Sequence, residues 1–499
     1  QNFQANLDAI IQLGTSSGAT VILNTVGVNL RDCPPFGSVS RAAIAGTRAA
    51  AFSAAFTNAL NAAARQNWAA AGAACQVAAN YEPQSADLEY LWGQSLLGDG
   101  QTVAATAHLI AAGDLDTLPF RADSRINQII RTAGERHPAP RLTLCDAAKI
   151  LGSGLPGGLC GAETFFEHVH FDVAPRYRLA RAWAEAIAPL WPASTNTWLT
   201  PEQADAAVGL TPWNEAQMLH LMAERMTLPP LSRQANNELR RTTLEERIKA
   251  RLNALPANAS QRALEAFRAA LAAHPADFFL HENAAVFLEL TGQPEAAVAE
   301  WSAFRDLLPQ DPLGYYEAGR LEVLLGKYAE AEAQLRQAQR IRPSRTDGWI
   351  ELGNALALQQ KYTNALTCYD TALRQSPNDP VVLVRHGRVQ LHLQQIPAAL
   401  RDFQIALQIN PANALAHHEL GLALTQAGQS SRAGEEFHLA AQLNPDSAMY
   451  LFDYATWLFR EQRWPEARQA FAEVLRVEPG NQRAQKHLAW LQTRLASPR

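Results

Sequence analysis

The sequence predicts two kinds of fold in one chain: an α/β domain on a partial doubly wound parallel sheet, followed by an all-α solenoid of stacked helical hairpins. Three observations predict this. Proline recurs every 34 residues from about residue 275 onward, a β-branched run follows a helix and a glycine turn near the N-terminus, and the stretch after it is alanine-rich. A fixed period of this length is typical of a supersecondary unit that stacks on copies of itself.

The repeat frame aligns several residue types besides proline. A small residue recurs in the first half of each unit, an alanine recurs in the second half, and a bulky residue follows each alanine by four positions. The prolines are Pro275, Pro309, Pro343, Pro377, Pro411, Pro445 and Pro479. The bulky residues are Trp301, Leu335, Tyr369, Phe403, Phe437 and Phe471. Small residues let two antiparallel helices approach closely beside a large side chain, and proline ends the second helix of each unit.

The turn between the two helices of a unit has its own signal. Glycine stands there in three units and glutamine in three others, which weakens the signal because glycine adopts turn conformations more easily. These residues are Gly292, Gly326 and Gly428, and Gln360, Gln394 and Gln462. Residues 481–495 follow the last unit and predict a polar helix that caps the solenoid.

This pattern resembles the tetratricopeptide repeat. The resemblance implies that the first helices line a concave groove that binds a protein or peptide. The frame places ten residues in that groove: Phe279, Tyr316, Arg320, Ile350, Asn354, Val384, Arg388, His418, Phe452 and Lys486. They lack the repeated lysine and asparagine set with which similar domains hold a peptide carboxylate. They could accept an apolar helix or an extended segment, or they could pack against a neighbouring domain.

Composition excludes several functional classes. The 499 residues are 47% hydrophobic and 18% charged, with a net charge of −5, so nothing favours binding to nucleic acid or to an anionic membrane. The longest apolar run, residues 19–28, is too short to span a bilayer. Five cysteines have no metal-ligand spacing, so no cofactor or metal is expected, although Cys145 and Cys160 could pair across a loop. The chain begins at Gln1 without methionine, and we expect a processed or incomplete N-terminus.

The first half predicts elements of an α/β domain. Residues 2–13 form an amphipathic pattern, and residues 19–26 form a continuous apolar run typical of a buried parallel strand. Asn29, Arg31 and Asp32 follow that strand, where such folds bind substrates, although these residues could instead only cap and turn the chain. Residues 42–118 predict two helical hairpins of repeat type inserted into the domain. A short strand (141–146) and a long helix (175–190) follow, and 193–258 predict a helical connector to the solenoid at 259–499.

The segment before the long helix is a candidate for chemistry. Glu167 stands three residues before His170, and a carboxylate at this spacing can orient an imidazole that serves a serine as general base. His168, His170 and Asp172 alternate, so they could also form part of a metal site if the segment were extended.

The Glu167–His170 motif before a helix resembles the last motif of the SGNH (GDSL-type) hydrolases, over residues 1–41 and 119–192. The resemblance implies ester hydrolysis or acyl transfer, with His170 as general base and Glu167 as its orienting acid. Glutamate replaces the family's aspartate, and the nucleophile and oxyanion motifs have no match, so a nucleophilic serine is expected upstream of Gln1. The resemblance also implies an extracytoplasmic location with a membrane tether. The alternative is a non-catalytic scaffold that carries a relic hydrolase domain.

Overall fold

The computed structural model describes residues 2–38, 46–118, 120–137, 141–190 and 198–496. Two compact units divide the chain, Gln1–Ala273 and His274–Arg499. Of the described residues, 72% are helical and 2% are in strands. Among the helices of the described ranges, none combines the length and the apolar character of a membrane span. The predicted domain boundaries after residues 41 and 192 lie outside the described residues. Residue 119, the first of the third predicted domain, also lies outside them.

The N-terminal unit is mostly helical. Its elements in chain order are α1 (Asn2–Ser16), β1 (Val21–Asn24), α2 (Thr47–Ala64), α3 (Trp68–Ala79), α4 (Ala86–Gly98), α5 (Thr102–Asp114), α6 (Ser124–Arg136), β2 (Leu142–Cys145), α7 (Ala147–Gly152), α8 (Val173–Ile187), α9 (Pro201–Ala207), α10 (Pro212–Met226), α11 (Asn237–Ala254) and α12 (Ala259–Ala273). The cysteines of the chain are free and buried, Cys145 and Cys160 among them.

The prediction of a doubly wound sheet is wrong. Within the described ranges the unit has two strands, which pair in parallel with Val21 opposite Leu142 and Asn24 opposite Cys145. Helices α1 and α6 pack on this pair through Ile11 and other buried apolar residues. The β-branched run correctly indicated a buried strand, but a local run cannot tell how many strands pair beside it. Sheet size depends on contacts between residues far apart in sequence, and the rest of this unit folds into helices.

The C-terminal unit is a series of helical hairpins followed by a last helix. Its helices are α13 (Phe278–Leu290), α14 (Pro294–Leu307), α15 (Pro312–Leu324), α16 (Tyr328–Ile341), α17 (Thr346–Leu358), α18 (Tyr362–Gln375), α19 (Pro380–His392), α20 (Ile396–Ile409), α21 (Ala414–Gln426), α22 (Ser430–Leu443), α23 (Ala448–Arg460), α24 (Trp464–Val477) and α25 (Gln482–Ala496). Each second helix ends two residues before its repeat proline, as the frame predicts.

The predicted turn positions are confirmed, including those where glutamine replaces glycine. Gly292, Gly326 and Gly428 have φ of 71°, 74° and 73°, and Gln360, Gln394 and Gln462 have φ of 60°, 59° and 59°. All six therefore adopt the left-handed conformation, which costs a residue with a side chain more than it costs glycine. The repeat imposes this turn even where the local sequence disfavours it.

The predicted pairing of small and large residues also holds. A Cβ added to Gly387 would lie 2.6 Å from Cε1 of Phe403, and one added to Gly421 would lie 2.7 Å from Cε1 of Phe437. Both phenylalanines are buried in the hairpin cores. The glycines therefore leave the space that the rings fill, and any larger residue there would force the helices apart.

A recurring hydrogen bond closes the junction between successive repeats. The fourth residue of the first helix donates to the carbonyl of the preceding repeat proline at 2.8–3.1 Å. The donors are His281, Trp349, His417 and Gln485, and each stands two repeats after the previous one. The sequence did not predict this bond because the donors differ in type, although they recur at a constant spacing of two repeats.

His417 makes a second bond that should render its contribution pH-dependent. Its Nδ1 lies 2.6 Å from Glu436 Oε2 and its Nε2 lies 3.0 Å from the Pro411 carbonyl oxygen. Both ring nitrogens face acceptors, which favours the doubly protonated ring, and the bond to Glu436 raises the pKa of His417. A raised pKa in the folded state stabilises the protein below the unfolded-state value of about 6.5, and this stabilisation is lost as pH rises through the folded-state pKa.

We expect His417→Gln to lower the free energy of unfolding by about 1–2 kcal/mol near pH 6 and by less near pH 9. Glutamine can keep the bond to the proline, as Gln485 does in its own repeat. Urea unfolding at the two pH values checks this, with the exposed His274→Gln as the control. A cost that is equal at both pH values would contradict the proposed protonated pair.

Candidate functional site

The first helices of the C-terminal unit form a continuous surface. Helix α17 contacts both α15 and α19, and α19 also contacts α21. Ion pairs join successive first helices across this surface. The ion pairs are Arg320–Glu289, Arg385–Glu351 and Arg388–Glu419, and the His418 ring is hydrogen bonded to Asp453. They hold neighbouring repeats in register and give the surface a fixed arrangement of charge.

The structure places the predicted groove residues at different depths. Phe279, Arg388 and Lys486 are exposed, and Arg320, Ile350 and Asn354 are half-buried. The buried members are Tyr316, Val384, His418 and Phe452. The Arg345 guanidinium covers the Tyr316 ring at 3.8 Å from its centroid. The exposed and half-buried members are thus the ones that can touch a ligand without rearrangement.

A cleft of about 440 Å³ lies on the surface between α17 and α19. Apolar side chains from three of the helices line it, together with two arginines that point from one face of α19. Leu358 and Val389 supply part of the apolar wall, and Arg385 and Arg388 supply the charge. Arg388 was among the predicted groove residues and Arg385 was not, although residues three apart on a helix share a face.

Polar contacts fix the wall of this cleft. Asn354 Oδ1 accepts a hydrogen bond from the hydroxyl of Tyr369 at 2.7 Å, and its Nδ2 donates to Glu351 at 3.1 Å. The Tyr362 ring stacks on His392, with centroids 4.5 Å apart and planes at 5°. The cleft is therefore lined by side chains that are already held in place, which reduces the entropy lost when a ligand binds.

Arg388 also has a structural role, which a mutation can isolate. Its Nε forms an ion pair with Glu419 Oε1 at 3.0 Å, and the Glu419 side chain is only 8% exposed. Burial raises the pKa of Glu419, and Arg388 opposes that shift. We expect Arg388→Ala to lower the free energy of unfolding by about 1–2 kcal/mol, because the buried carboxylate loses its cation while water still reaches that side of the pair.

A double variant distinguishes this cause from a simple loss of contacts. Arg388→Ala combined with Glu419→Gln should recover part of the lost stability, since the amide needs no cation. Chemical unfolding of the wild type, both single variants and the double variant gives the coupling free energy. If the double variant is less stable than Arg388→Ala by the full cost of Glu419→Gln alone, the two residues do not act as a pair.

In the N-terminal unit, the structure brings Glu167 and His170 together. The Glu167 side chain is fully buried and lies against the Nδ1 atoms of His168 and His170. It also accepts hydrogen bonds from the backbone N–H groups of Val169 at 3.3 Å and His170 at 3.0 Å. One carboxylate thus organises the whole turn that carries both imidazoles.

The other side of His170 faces a cation. Its Nε2 lies 3.5 Å from a terminal nitrogen of Arg225. Because arginine can only donate, this long contact favours an accepting Nε2 and therefore the neutral ring. Burial and the charge of Arg225 lower the pKa of His170, and burial is the main cause that lowers the pKa of His168 to about 4. Within the described ranges no serine, threonine or cysteine side chain is hydrogen bonded to His170.

The candidate substrate-loop residues connect to the same turn. Asn29 is buried, its Nδ2 donates to the Glu167 carbonyl at 2.7 Å, and its Oδ1 accepts from the Asp32 backbone N–H at 2.9 Å. The Arg31 guanidinium pairs with Asp32 and Glu163. These contacts join the segment after β1 to the Glu167 turn across 138 positions in the chain. No cluster of three metal-binding side chains occurs in the part of the chain that the structure describes.

Comparison with known proteins finds the repeats. Residues 316–380 and 384–448 match the family described as tetratricopeptide repeat. No curated protein matches the chain. Nothing found supports an SGNH hydrolase domain in the N-terminal unit.

Three solved structures resemble part of the chain. YrrB, described as a TPR protein with an unusual peptide-binding site, is 24% identical and covers 38% of this chain and 97% of its own, with a TM-score of 0.33. MamA from Desulfovibrio magneticus RS-1 is 26% identical over 34% of this chain and 95% of its own, at 0.31. Pseudomonas aeruginosa pilF is 21% identical over 37% and 90%, at 0.33. TM-scores this low support no argument about function.

Proposed function

We propose that the C-terminal unit, whose residues 316–448 carry tetratricopeptide repeats, is a scaffold that binds an extended segment of another protein. The observation that carries this proposal is the cleft between α17 and α19, where two arginines stand beside apolar side chains. An extended segment can fit such a cleft, because alternate side chains can enter it while the backbone runs along the surface.

The chemistry of the cleft favours a segment with an acidic residue next to an apolar one. Arg388 is held by Glu419 at 3.0 Å, whereas Arg385 lies 3.9 Å from Glu351 and is bound less tightly. Arg385 can therefore turn toward a ligand carboxylate at smaller cost. Leu358, which is 52% exposed, and Val389 provide the apolar contact.

Selection from a random peptide library displayed on phage tests this proposal with the full chain as bait. Enriched peptides should share an acidic residue beside an aliphatic or aromatic one. Arg385→Gln should weaken their binding about tenfold, as expected for loss of one charge-assisted hydrogen bond. The control is Arg401→Gln, an exposed arginine on α20, the other helix of the same hairpin. Peptides that bind both variants and the wild type equally would place the binding surface elsewhere.

A second candidate function rests on the contact between Glu167 and His170. We propose that this pair serves proton transfer in hydrolysis or transfer of an acyl ester, since the carboxylate orients the ring and Nε2 points away from it. A fluorophosphonate probe applied to the protein from its natural source tests this, with His170→Ala as control. Labelling that depends on His170 supports the proposal. If labelling is absent, or if it persists in His170→Ala, the proposed hydrolase function is overturned and only the scaffold function remains.

A further inference from the structure

The N-terminal unit contains a second cavity, separate from the peptide cleft in sequence and in chemistry. It has a volume of about 280 Å³ and lies between α8, α10 and the turn that carries His170. Most of its wall is apolar. The apolar side chains are Phe166, Val169, Phe171, Met218, Leu221 and Met222. The other lining residues that the structure describes are Arg176 and His170, so the wall contains no acidic side chain.

Arg176 is the charged group of this cavity. Its guanidinium donates a hydrogen bond to Met218 Sδ at 3.7 Å, and a thioether is a weak acceptor. Burial lowers the pKa of Arg176, because a low-dielectric surrounding disfavours the cation. Three carboxylates, Asp172, Asp205 and Glu215, act on Arg176 through space. Two of them also pair with other arginines, Asp172 with Arg247 and Glu215 with Arg251. A guanidinium has five N–H donors, so Arg176 keeps donors for a further acceptor.

A second cation stands beside the cavity. Arg225 lies 3.5 Å from Nε2 of His170, which itself lines the wall. Two arginines therefore stand at or beside a wall that carries no carboxylate, while Asp172, Asp205 and Glu215 act on Arg176 from outside that wall. An apolar wall with a guanidinium as its charged member suits a ligand with an anionic head and an apolar tail.

We propose that this cavity binds a medium-chain carboxylate, with its head paired to Arg176 and its chain against Phe166, Met218 and Met222. Carboxylate and guanidinium match in geometry and can form two parallel hydrogen bonds. An apolar cavity of about 150 Å³ accommodates benzene, so a cavity about twice that size suits a chain of roughly eight to ten carbons. The proposal requires neither a catalytic His170 nor peptide binding by the repeats.

Calorimetric titration of the full chain with octanoate, octanol and acetate tests the proposal. Octanoate should bind at least about tenfold more tightly than octanol, which has the chain without the charge, and acetate should not saturate the site. Arg176→Met should weaken octanoate binding about tenfold and leave octanol unchanged. Arg178→Met is the matched control, because Arg178 is exposed on the same helix. Equal affinity for octanoate and octanol would overturn the proposal.

Two further measurements keep the test decisive if Arg176→Met does not fold. The comparison of octanoate with octanol on the wild type requires no variant. Leu221 is 48% exposed, so Leu221→Trp should be tolerated while its ring fills the cavity. Octanoate binding should then be lost, with the circular dichroism spectrum unchanged. Binding of octanoate to Leu221→Trp at wild-type affinity would show that the ligand sits elsewhere.

Discussion

Replacement of Phe403 by alanine is expected to lower the free energy of unfolding by about 3–5 kcal/mol, among the largest losses of any single substitution in the repeats. Phe403 is fully buried in α20 and packs in the core shared by neighbouring hairpins. Alanine removes the ring but cannot close the space beside Gly387, so a cavity remains. Because a repeat contacts only its neighbours, the loss should be felt first in α19 to α22.

Hydrogen exchange measured by mass spectrometry, together with urea unfolding of the full chain, checks this result. The matched control is Ile405→Ala on the same helix, where the side chain is 39% exposed and the expected cost is below about 1 kcal/mol. Faster exchange should be confined to the hairpins around α20. Uniform acceleration through both units would mean that the repeats do not unfold as a nearest-neighbour series.

Replacement of Glu167 by alanine is expected to cost about 3–5 kcal/mol in the N-terminal unit. The buried carboxylate accepts from the backbone N–H groups of Val169 and His170 and holds the His170 ring, and alanine leaves these donors without their acceptor. The turn around residues 165–172 should lose its conformation. The Asn29 backbone N–H, which donates to the His168 carbonyl at 2.9 Å, should then exchange faster.

The control for this variant is Glu163→Ala, four residues earlier. Glu163 is 39% exposed at its side chain and pairs with Arg31 on the surface, so its loss should cost less than about 1 kcal/mol. Urea unfolding and amide exchange of residues 29–33 distinguish the two variants. If Glu167→Ala is no less stable than Glu163→Ala, water replaces the lost carboxylate and the turn does not depend on it.

The candidate sites show which contacts can be predicted from residue spacing alone. Two residues three positions apart on one turn, such as Glu167 and His170, are close in any compact conformation. The structure does bring them together. The role of Arg385 could also have been predicted from spacing, because it lies three residues before Arg388 on the same helix. The hydrogen bond from Asn29 to Glu167 could not have been predicted, since nothing in the sequence indicates a contact across 138 positions.

The sequence by itself determined the repeats of the C-terminal unit. Their contacts are local, so the period records directly where helices end, where the chain turns and where Gly387 makes room for Phe403. Tertiary structure alone decided how many strands the N-terminal sheet has. It also decided which first-helix residues remain exposed, because the neighbouring repeat covers Val384 and leaves Arg388 open. The burial of a first-helix residue depends on the surfaces of two packed helices, whereas the hydrophobic pattern of one helix describes only the surface of that helix.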